Sequence, residues 1–292
     1  MNLHAVERKL RQMGDEARGL AVIGAALRLR QGAGEIHPEV KRRLLDAVAA
    51  LLPGGLDDLD REHASALLAS VTQALQEARD LFDHPERPPV WQVRDPAMLQ
   101  AQGQASRVVV RRLASLAAER PALAAALTGR FLDVGTGVGG IALEAAAKWP
   151  SLHVVGLDIW EPALELARAN VAASPYRSRI ELRRQDVTHF GDVADYSLTW
   201  LPAPFLSQDV ARTALDRLTA ALKPKGYLVV GLYAPPADPV GTALAALRLA
   251  RSGGHLWACA AMEAELRSRG FTAVETCAGQ PVTLVMGQRS AR

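Results

Sequence analysis

The chain has 292 residues, of which 49% are hydrophobic and 22% are charged, and this composition excludes intrinsic disorder and a collagen-like repeat. Its 34 lysines and arginines nearly balance 31 aspartates and glutamates, which gives a net charge of +3. No strongly basic arm is present, so we do not expect a large nucleic-acid-binding surface. The length fits one large α/β domain with an appendage, or two smaller domains.

The number of cysteines and the lengths of the apolar stretches indicate the cellular compartment in which the protein is expected. Two cysteines, Cys259 and Cys277, are too few for a disulfide scaffold or a cysteine-rich zinc site. Residues 1–19 alternate charged and single apolar residues, so they lack the apolar core of a secretion signal. Apolar stretches such as Leu20–Leu27 are far too short to cross a bilayer. We therefore expect a soluble cytoplasmic protein that does not act at a membrane.

The first ninety residues are predicted to form an all-α domain. Apolar residues recur at helical spacing from Pro38 to Leu52 and from Asp60 to Phe82, and an earlier helix is predicted at about residues 16–31. Each helix has an apolar face that needs a partner surface. We expect these helices to pack on each other or on a second copy of the chain, as a homodimer, or to contribute to a substrate lid.

Residues 91–292 are predicted to form an α/β domain. After the proline-rich linker Asp83–Pro96 and a helix at about Leu99–Arg120, strands and helices alternate with short joints. This pattern predicts a doubly wound, mostly parallel seven-stranded sheet that binds ligands at the carboxyl ends of its strands. The short connection Gly279-Gln280-Pro281 predicts a C-terminal antiparallel hairpin. Strands are predicted at Arg130–Val134, His153–Asp158, Arg179–Arg184, Ala194–Trp200, Gly226–Tyr233, Phe271–Thr276 and Val282–Met286, and helices at about 139–148, 161–173, 208–222 and 258–269.

The strongest local signal is a glycine-rich turn, Asp133-Val134-Gly135-Thr136-Gly137-Val138-Gly139-Gly140, between the first strand and a helix. Its glycines permit positive φ angles and let a ligand approach backbone N–H groups closely. The spacing also matches the dinucleotide pattern G-x-G-x-x-G, so a nicotinamide oxidoreductase is one alternative. The Asp133 carboxylate would repel a pyrophosphate and attract a ligand that carries an ammonium and a sulfonium, as S-adenosylmethionine does. A strand-end aspartate that only caps the turn is the structural alternative.

Two further acidic positions predict adenosine binding. Asp158 ends the second strand, where its carboxylate can accept hydrogen bonds from two ribose hydroxyls. Enzymes that use a nicotinamide cofactor and enzymes that use S-adenosylmethionine both need such a residue. After the third strand, Asp186 and the backbone N–H of Val187 are complementary to the edge of adenine, with a simple turn as the alternative. Ile159 and Trp160 can pack on the adenine faces, and a purely structural tryptophan is the alternative for Trp160.

In this order and spacing the motifs resemble those of class I, Rossmann-like S-adenosylmethionine-dependent methyltransferases of the small-molecule type, over roughly residues 97–287. The resemblance also includes the strand end at Trp200, the segment Leu222-Lys223-Pro224-Lys225-Gly226 and the terminal hairpin. It implies an enzyme that uses S-adenosyl-L-methionine. The implied cofactor-binding residues are Gln102, Ser106, Asp133, Gly135, Thr136, Gly137, Gly139, Asp158, Ile159, Gln185, Asp186, Val187 and Trp200.

The segment after the fourth strand departs from one branch of this family. Enzymes that methylate nucleic-acid bases or protein glutamine amides often have an Asn- or Asp-Pro-Pro-aromatic motif there. The chain has Leu201-Pro202-Ala203-Pro204-Phe205, which keeps the aromatic residue but lacks the Asn or Asp that would hold an amino group. We therefore expect O- or N-methylation of a small molecule. A peptide or protein substrate stays an alternative.

The expected chemistry needs alignment more than a covalent nucleophile. Methyl transfer is an in-line displacement at a carbon that the sulfonium already activates, so the protein must align the acceptor and exclude water. For a hydroxyl acceptor, His255 is the candidate base. It follows Ala234–Gly254, a segment that resembles the family's variable substrate lid. Histidines and carboxylates do not cluster at ligand spacing, so no metal is expected. The candidate substrate-binding residues are Trp91, Tyr233 and Trp257.

Overall fold

The computed structural model describes residues 2–32, 34–234, 238–280 and 282–291. The chain divides into two compact units, Met1–Glu86 and Arg87–Arg292. Pro281 of the predicted hairpin connection and residues 235–237 of the predicted lid lie outside the described residues. In the part of the chain that is described, no helix combines the length and the hydropathy that a membrane crossing requires.

The first unit contains three described helices packed around a small apolar core. Asn2, His37 and Asp60 cap these helices, because each side chain accepts a hydrogen bond from a backbone N–H in the first turn. The predicted start of the first helix at residue 16 is wrong. The preceding residues are charged but favour helices, and contacts four apart, such as Gln12 to Glu16, continue the helix. The helices are α1 (Leu3–Arg30), α2 (Pro38–Leu51) and α3 (Arg61–Asp83), and the core residues are Ala26, Leu27, Val48, Leu56 and Ala64.

The second unit begins with helices that lead into the sheet. They are α4 (Pro96–Ser106), α5 (Val108–Ala118) and α6 (Pro121–Ala126). The Asp95 carboxylate caps α4 by accepting a hydrogen bond from the Ala97 N–H at 2.8 Å. The single helix predicted at about Leu99–Arg120 is therefore two helices that meet at Arg107. The break has a tertiary cause. Helix α5 buries Val110 and Leu113 in a core against the sheet, whereas Leu99 of α4 packs in a separate cluster with Val138 and Ala163.

The sheet has seven described strands in the order β3-β2-β1-β4-β5-β7-β6. Strands β1 to β5 pair in parallel, whereas β7 runs antiparallel to both β5 and β6. This confirms the predicted fold class and the C-terminal hairpin. The strand order reverses between β1 and β4, which is where a doubly wound sheet opens a crevice for ligands. The strands are β1 (Arg130–Val134), β2 (His153–Asp158), β3 (Ile180–Arg184), β4 (Tyr196–Pro202), β5 (Leu222–Tyr233), β6 (Phe271–Cys277) and β7 (Val282–Arg289).

Helices cover both faces of the sheet. Phe131 belongs to the core cluster that includes residues of α5, α6 and α7, whereas Leu132 belongs to the cluster that includes residues of α9 and α11. The described part of the predicted lid contains a helix, α10 (Pro239–Arg251). The remaining helices are α7 (Gly140–Lys148), α8 (Glu161–Ala172), α9 (Gln208–Ala221), α10 (Pro239–Arg251) and α11 (Cys259–Ser268).

Candidate functional site

The glycine turn lies at the carboxyl end of β1. Gly135, Gly137 and Gly139 have φ angles of 65°, 57° and 81°, a region in which any side chain would be strained. The Thr136 N–H donates to the Leu157 carbonyl oxygen at 2.9 Å, which attaches the turn to β2. A Cβ on Gly137 would meet only the Gly135 carbonyl oxygen, 4.0 Å away, so the backbone is open to a ligand at this point.

Asp133 is buried beneath this turn. One carboxylate oxygen, Oδ2, accepts a hydrogen bond from the Thr136 hydroxyl at 2.7 Å. The other, Oδ1, is buried without a hydrogen-bond partner in the described structure. Burial raises the pKa of Asp133 from 3.8 to about 7, and the nearby Asp158 carboxylate adds to this rise. The site therefore holds a buried carboxyl group whose Oδ1 lacks a donor or a cation among the described residues.

Asp158 ends β2, and its carboxylate accepts hydrogen bonds from the glycine turn and from the segment that follows β2. Its Oδ2 accepts a hydrogen bond from the Gly137 N–H at 2.8 Å, and its Oδ1 accepts one from the Trp160 N–H at 2.9 Å. Burial raises the pKa of Asp158, although these backbone hydrogen bonds oppose the rise. Each oxygen retains acceptor capacity for a ligand hydroxyl. Beside it, the Ile159 side chain is 64% exposed and free to contact a ligand.

Helix α4 lies directly on the glycine turn. A Cβ on Gly140 would overlap the Gly103 carbonyl oxygen and come within 2.7 Å of the Ser106 hydroxyl. A Cβ on Gly103 would in turn overlap the Val138 side chain. Gly140 is the third glycine of the dinucleotide-like pattern, and here its missing side chain admits α4. The predicted residue Gln102 lies on the same helix and is partly buried.

The carboxyl end of β3 completes the row of acidic positions. The Gln185 N–H donates to the Asp158 carbonyl oxygen at 3.0 Å, which holds the two strand ends together. The Asp186 Oδ1 accepts hydrogen bonds from the Thr188 N–H and hydroxyl, each at 2.8 Å. Asp186 therefore caps a short turn, as its structural alternative expects, while its other oxygen, Oδ2, lies 3.7 Å from the His189 Nδ1. The Val187 side chain is buried in the core.

Two residues predicted to line the site belong to the core instead. The Trp200 indole is buried, and a Cβ on Gly231 would overlap its ring. Trp257 is buried in the core cluster on the other face of the sheet. Both assignments are corrected by this packing, because a large aromatic ring near a strand end can fill a core as readily as it can line a cleft.

The predicted residues Trp91 and His255 meet at the segment that follows β4. Trp91 contacts Phe205 edge-to-face, with 5.6 Å between the ring centroids. The His255 N–H donates to the Pro204 carbonyl oxygen at 3.2 Å, and its imidazole contacts the Trp257 ring with centroids 5.2 Å apart. Sequence analysis left Phe205 without a site role, although the aromatic residue of its motif was noted.

This aromatic group borders the glycine turn through the end of β4. The Pro202 Cγ lies 3.1 Å from the position that a Cβ on Gly135 would occupy. Tyr233 ends β5, and the Arg248 guanidinium of α10 lies 5.3 Å from its ring centroid. The carboxyl ends of β1 and β4 therefore bring the acidic and aromatic parts of the candidate site together, with Tyr233 at the next strand end.

Sequence analysis missed two amide residues, Gln100 of α4 and Asn170 of α8. Their side chains hydrogen-bond to each other behind the glycine turn. Asn is an unfavourable residue inside a helix, so its presence near the end of α8 was the available signal. Both residues line a groove of about 450 Å³ between α4, α7 and α8. Within the described ranges, His, Cys, Asp and Glu side chains do not form a group of three that could hold a metal ion.

Part of the chain matches the sequence model of a known protein family. Residues 131–226, from β1 into the start of β5, match the sequence model of a family described as "Methyltransferase domain". This part of the chain is therefore similar to methyltransferase domains. The match includes the glycine turn, Asp158 and Asp186, so the resemblance inferred from those motifs is confirmed for this domain.

Two curated relatives match part of the chain. The ubiquinone/menaquinone biosynthesis C-methyltransferase of Geotalea daltonii is 35% identical over 113 residues, which are 37% of this chain and 47% of that protein. The tRNA1(Val) (adenine(37)-N6)-methyltransferase of Porphyromonas gingivalis is 43% identical over 86 residues, 30% of this chain and 31% of that protein. The chain thus spans less than half the length of these relatives.

A solved structure is similar over nearly the whole chain. Human N-acetylserotonin methyltransferase, in complex with S-adenosylmethionine, superposes with a TM-score of 0.71 at 16% identity and covers 98% of each chain. At this identity the likeness shows a shared fold.

Proposed function

We propose that this chain is an enzyme that transfers a methyl group from S-adenosylmethionine to an oxygen or nitrogen of a small molecule. The observation that carries the proposal is the buried, unpartnered Oδ1 of Asp133 beside the glycine turn. A buried carboxylate oxygen without a partner is costly, and a cationic ligand that also donates hydrogen bonds would remove that cost. S-adenosylmethionine has this chemistry, whereas a pyrophosphate has the opposite charge.

The residues at the carboxyl ends of β1, β2 and β3 fit this donor. Asp133 would face its cationic methionine portion, with the open backbone at Gly137 beside it. The Asp158 carboxylate would accept hydrogen bonds from the ribose hydroxyls, and exposed Ile159 would contact adenine. The second oxygen of Asp186 would accept from the adenine amine. When bound, the donor supplies a methyl group whose carbon is electrophilic because it is attached to a sulfonium.

The aromatic residues near the end of β4 would form the acceptor side. Trp91 and Phe205 offer apolar ring surface that can hold a small molecule and exclude water, and Phe205 is half exposed. His255, attached to Pro204 by its backbone N–H, is the proposed base for a hydroxyl acceptor. Its role would be to accept the hydroxyl proton as the oxygen–carbon bond forms and the carbon–sulfur bond of the donor breaks, which leaves S-adenosylhomocysteine.

Other functions have less support. The tight packing of α4 on Gly140 accounts for the third glycine without a dinucleotide, so a nicotinamide oxidoreductase is not favoured. The sequence Leu201-Pro202-Ala203-Pro204-Phe205 lacks an Asn or Asp to hold an exocyclic amine, which counts against a base or amide acceptor. A small molecule is therefore the proposed partner, in preference to nucleic acid, peptide or protein.

Isothermal titration tests the donor. We expect the protein to bind S-adenosylmethionine and S-adenosylhomocysteine and to ignore NAD, and we expect Asp133→Ala to abolish binding of both adenosyl compounds. The matched control is Asp209→Ala, which removes an exposed carboxylate at the start of α9. Binding of NAD, or unchanged affinity in Asp133→Ala, would contradict the proposal.

Labelled donor tests the acceptor class. A cell extract is incubated with the protein and methyl-labelled S-adenosylmethionine, and the label is measured in the small-molecule, protein and RNA fractions. We expect label in the small-molecule fraction. Label recovered mainly in protein or tRNA would overturn the proposed acceptor while leaving the proposed donor intact.

Two further expectations are part of the proposal. The first unit exposes large apolar side chains, among them Leu45, Leu67, Leu75 and Phe82, and we propose that they mediate a homodimer. Sedimentation should then show a dimer that Phe82→Asp weakens. We also propose a cytoplasmic location, which the two unpaired cysteines, Cys259 and Cys277, support.

A further inference from the structure

An amide side chain holds the glycine turn from its helical side. The Nδ2 of Asn170, on α8, donates a hydrogen bond to the Val138 carbonyl oxygen at 2.9 Å. The same residue exchanges two hydrogen bonds with Gln100 of α4, each at 3.1 Å. The pair thus links three elements: the turn, α4 and α8. Both side chains are partly buried, which makes their hydrogen bonds less replaceable by water.

The turn needs such an external support. Three glycines with positive φ angles have no side chains that restrict the backbone, so contacts from neighbouring elements must select its conformation. Thr136 and Asp158 hold the first half of the turn from the strand side. Among the hydrogen bonds of the described residues, Asn170 provides the side-chain contact to the second half, at Val138.

We propose that Asn170 is a positioning residue for the donor site and that Gln100 acts through it. Asn170 holds the Val138 carbonyl so that the backbone of Gly137 and Gly139 keeps the shape that receives the donor. Gln100 keeps the Asn170 amide in the orientation that presents Nδ2 to this carbonyl, and it thereby couples the position of α4 to the shape of the turn. This inference rests on the proposed function.

The isosteric variant Asn170→Asp removes both hydrogen bonds that Nδ2 donates, one to the Val138 carbonyl oxygen and one to the Gln100 Oε1. An aspartate still accepts from the Gln100 amide, but it presents an acceptor oxygen to the Val138 carbonyl and repels it. We expect Asn170→Asp to weaken S-adenosylhomocysteine binding about five- to tenfold, the factor that one such hydrogen bond commonly represents. The Michaelis constant for the donor should rise while kcat changes little, because the acceptor side is untouched.

A double-mutant cycle tests the coupling. Gln100→Ala should weaken binding about threefold, and the double variant Gln100→Ala/Asn170→Ala should bind no more weakly than Asn170→Ala, within about twofold. Fully additive losses would show that Gln100 does not act through Asn170 and would overturn that part of the inference.

Ser197→Ala is the control for a merely structural role. The Ser197 hydroxyl donates to the carbonyl oxygens of Ala126 and Arg130 near the amino end of β4, away from the site. We expect this variant to lower the melting temperature and to leave donor affinity unchanged. If affinity instead tracks melting temperature across Ser197→Ala and Asn170→Asp alike, or if Asn170→Asp binds as the wild type does, the inference is overturned. A wild-type protein that does not bind the donor would reject the proposed function itself.

Discussion

Gly103 and Gly140 face each other across a contact that neither residue could keep with a side chain. The Gly103 carbonyl oxygen occupies the space that a Cβ on Gly140 would need, and a Cβ on Gly103 would overlap Val138. Helix α4 therefore rests on the first residue of α7 with no side chain between the two backbones. This contact determines where the wall of the crevice lies relative to the glycine turn.

Gly140→Ala should therefore move α4 away from the turn. Gly140 has an ordinary helical backbone, so alanine adds no backbone strain, and the overlap with Gly103 alone accounts for the loss. We expect about 1–3 kcal/mol lower stability by chemical denaturation and at least about tenfold weaker S-adenosylhomocysteine binding by titration. The control is Gly191→Ala, since a Cβ there meets nothing within 4 Å. Equal effects of the two variants would contradict this prediction.

Asp133→Asn should stabilise the ligand-free protein in a pH-dependent manner. Because burial raises the pKa of Asp133 from 3.8 to about 7, ionising it costs the native state stability as the pH rises from about 4 to about 7. The variant avoids this cost. Its stability advantage should be absent below pH 4, grow between pH 4 and 7, and level off at no more than about 4 kcal/mol.

Denaturation of both proteins at pH 4, 6 and 8 measures this difference. The Thr136 hydroxyl and the Asp158 carboxylate affect the same titration, so both are kept in the variant. Asp133→Asn should also bind S-adenosylmethionine far more weakly, which separates its stability gain from its loss of function. A stability difference that does not change with pH would show that Asp133 is not the titrating group.

Arg112→Met should destabilise the C-terminal hairpin without affecting the site. The Arg112 guanidinium donates hydrogen bonds to the carbonyl oxygens of Val282, Cys277 and Ala278, the last two at 3.0 and 2.8 Å. Methionine keeps much of the length but none of the donors, so we expect a loss of about 2–3 kcal/mol. Arg111→Met, on the exposed side of α5, should change stability little. Reduced donor affinity in Arg112→Met would contradict a purely structural role.

Phe205→Ala should affect the acceptor and not the donor. Phe205 contacts Trp91 and is half exposed at the end of β4, so its removal takes away apolar surface on the proposed acceptor side. We expect a rise of about tenfold in the Michaelis constant for the acceptor, with unchanged affinity for S-adenosylhomocysteine. A variant that loses donor affinity instead would place Phe205 on the donor side of the site.

Local pattern predicted most of the sheet. The bounds of β1 and β2 agree with the sequence prediction at both ends, because each is a short apolar run followed by a turn signal. The start of α1 and the break between α4 and α5 were wrong. Residues 3–15 include many charged residues and lack a continuous apolar face, so the sequence pattern did not predict this part of α1. The break at Arg107 depends on the neighbours against which α4 and α5 pack.

The order of the glycines and carboxylates along the chain by itself placed the candidate site at the carboxyl ends of the strands, because each motif directly follows a strand and parallel strands end at one edge. Tertiary structure alone decided that Trp200 and Trp257 fill the core, that Gly140 admits a helix, and that Gln100 and Asn170 support the turn. The physical reason is that burial and hydrogen-bond partners arise between segments far apart in sequence. The composition of one segment does not reveal what packs against it.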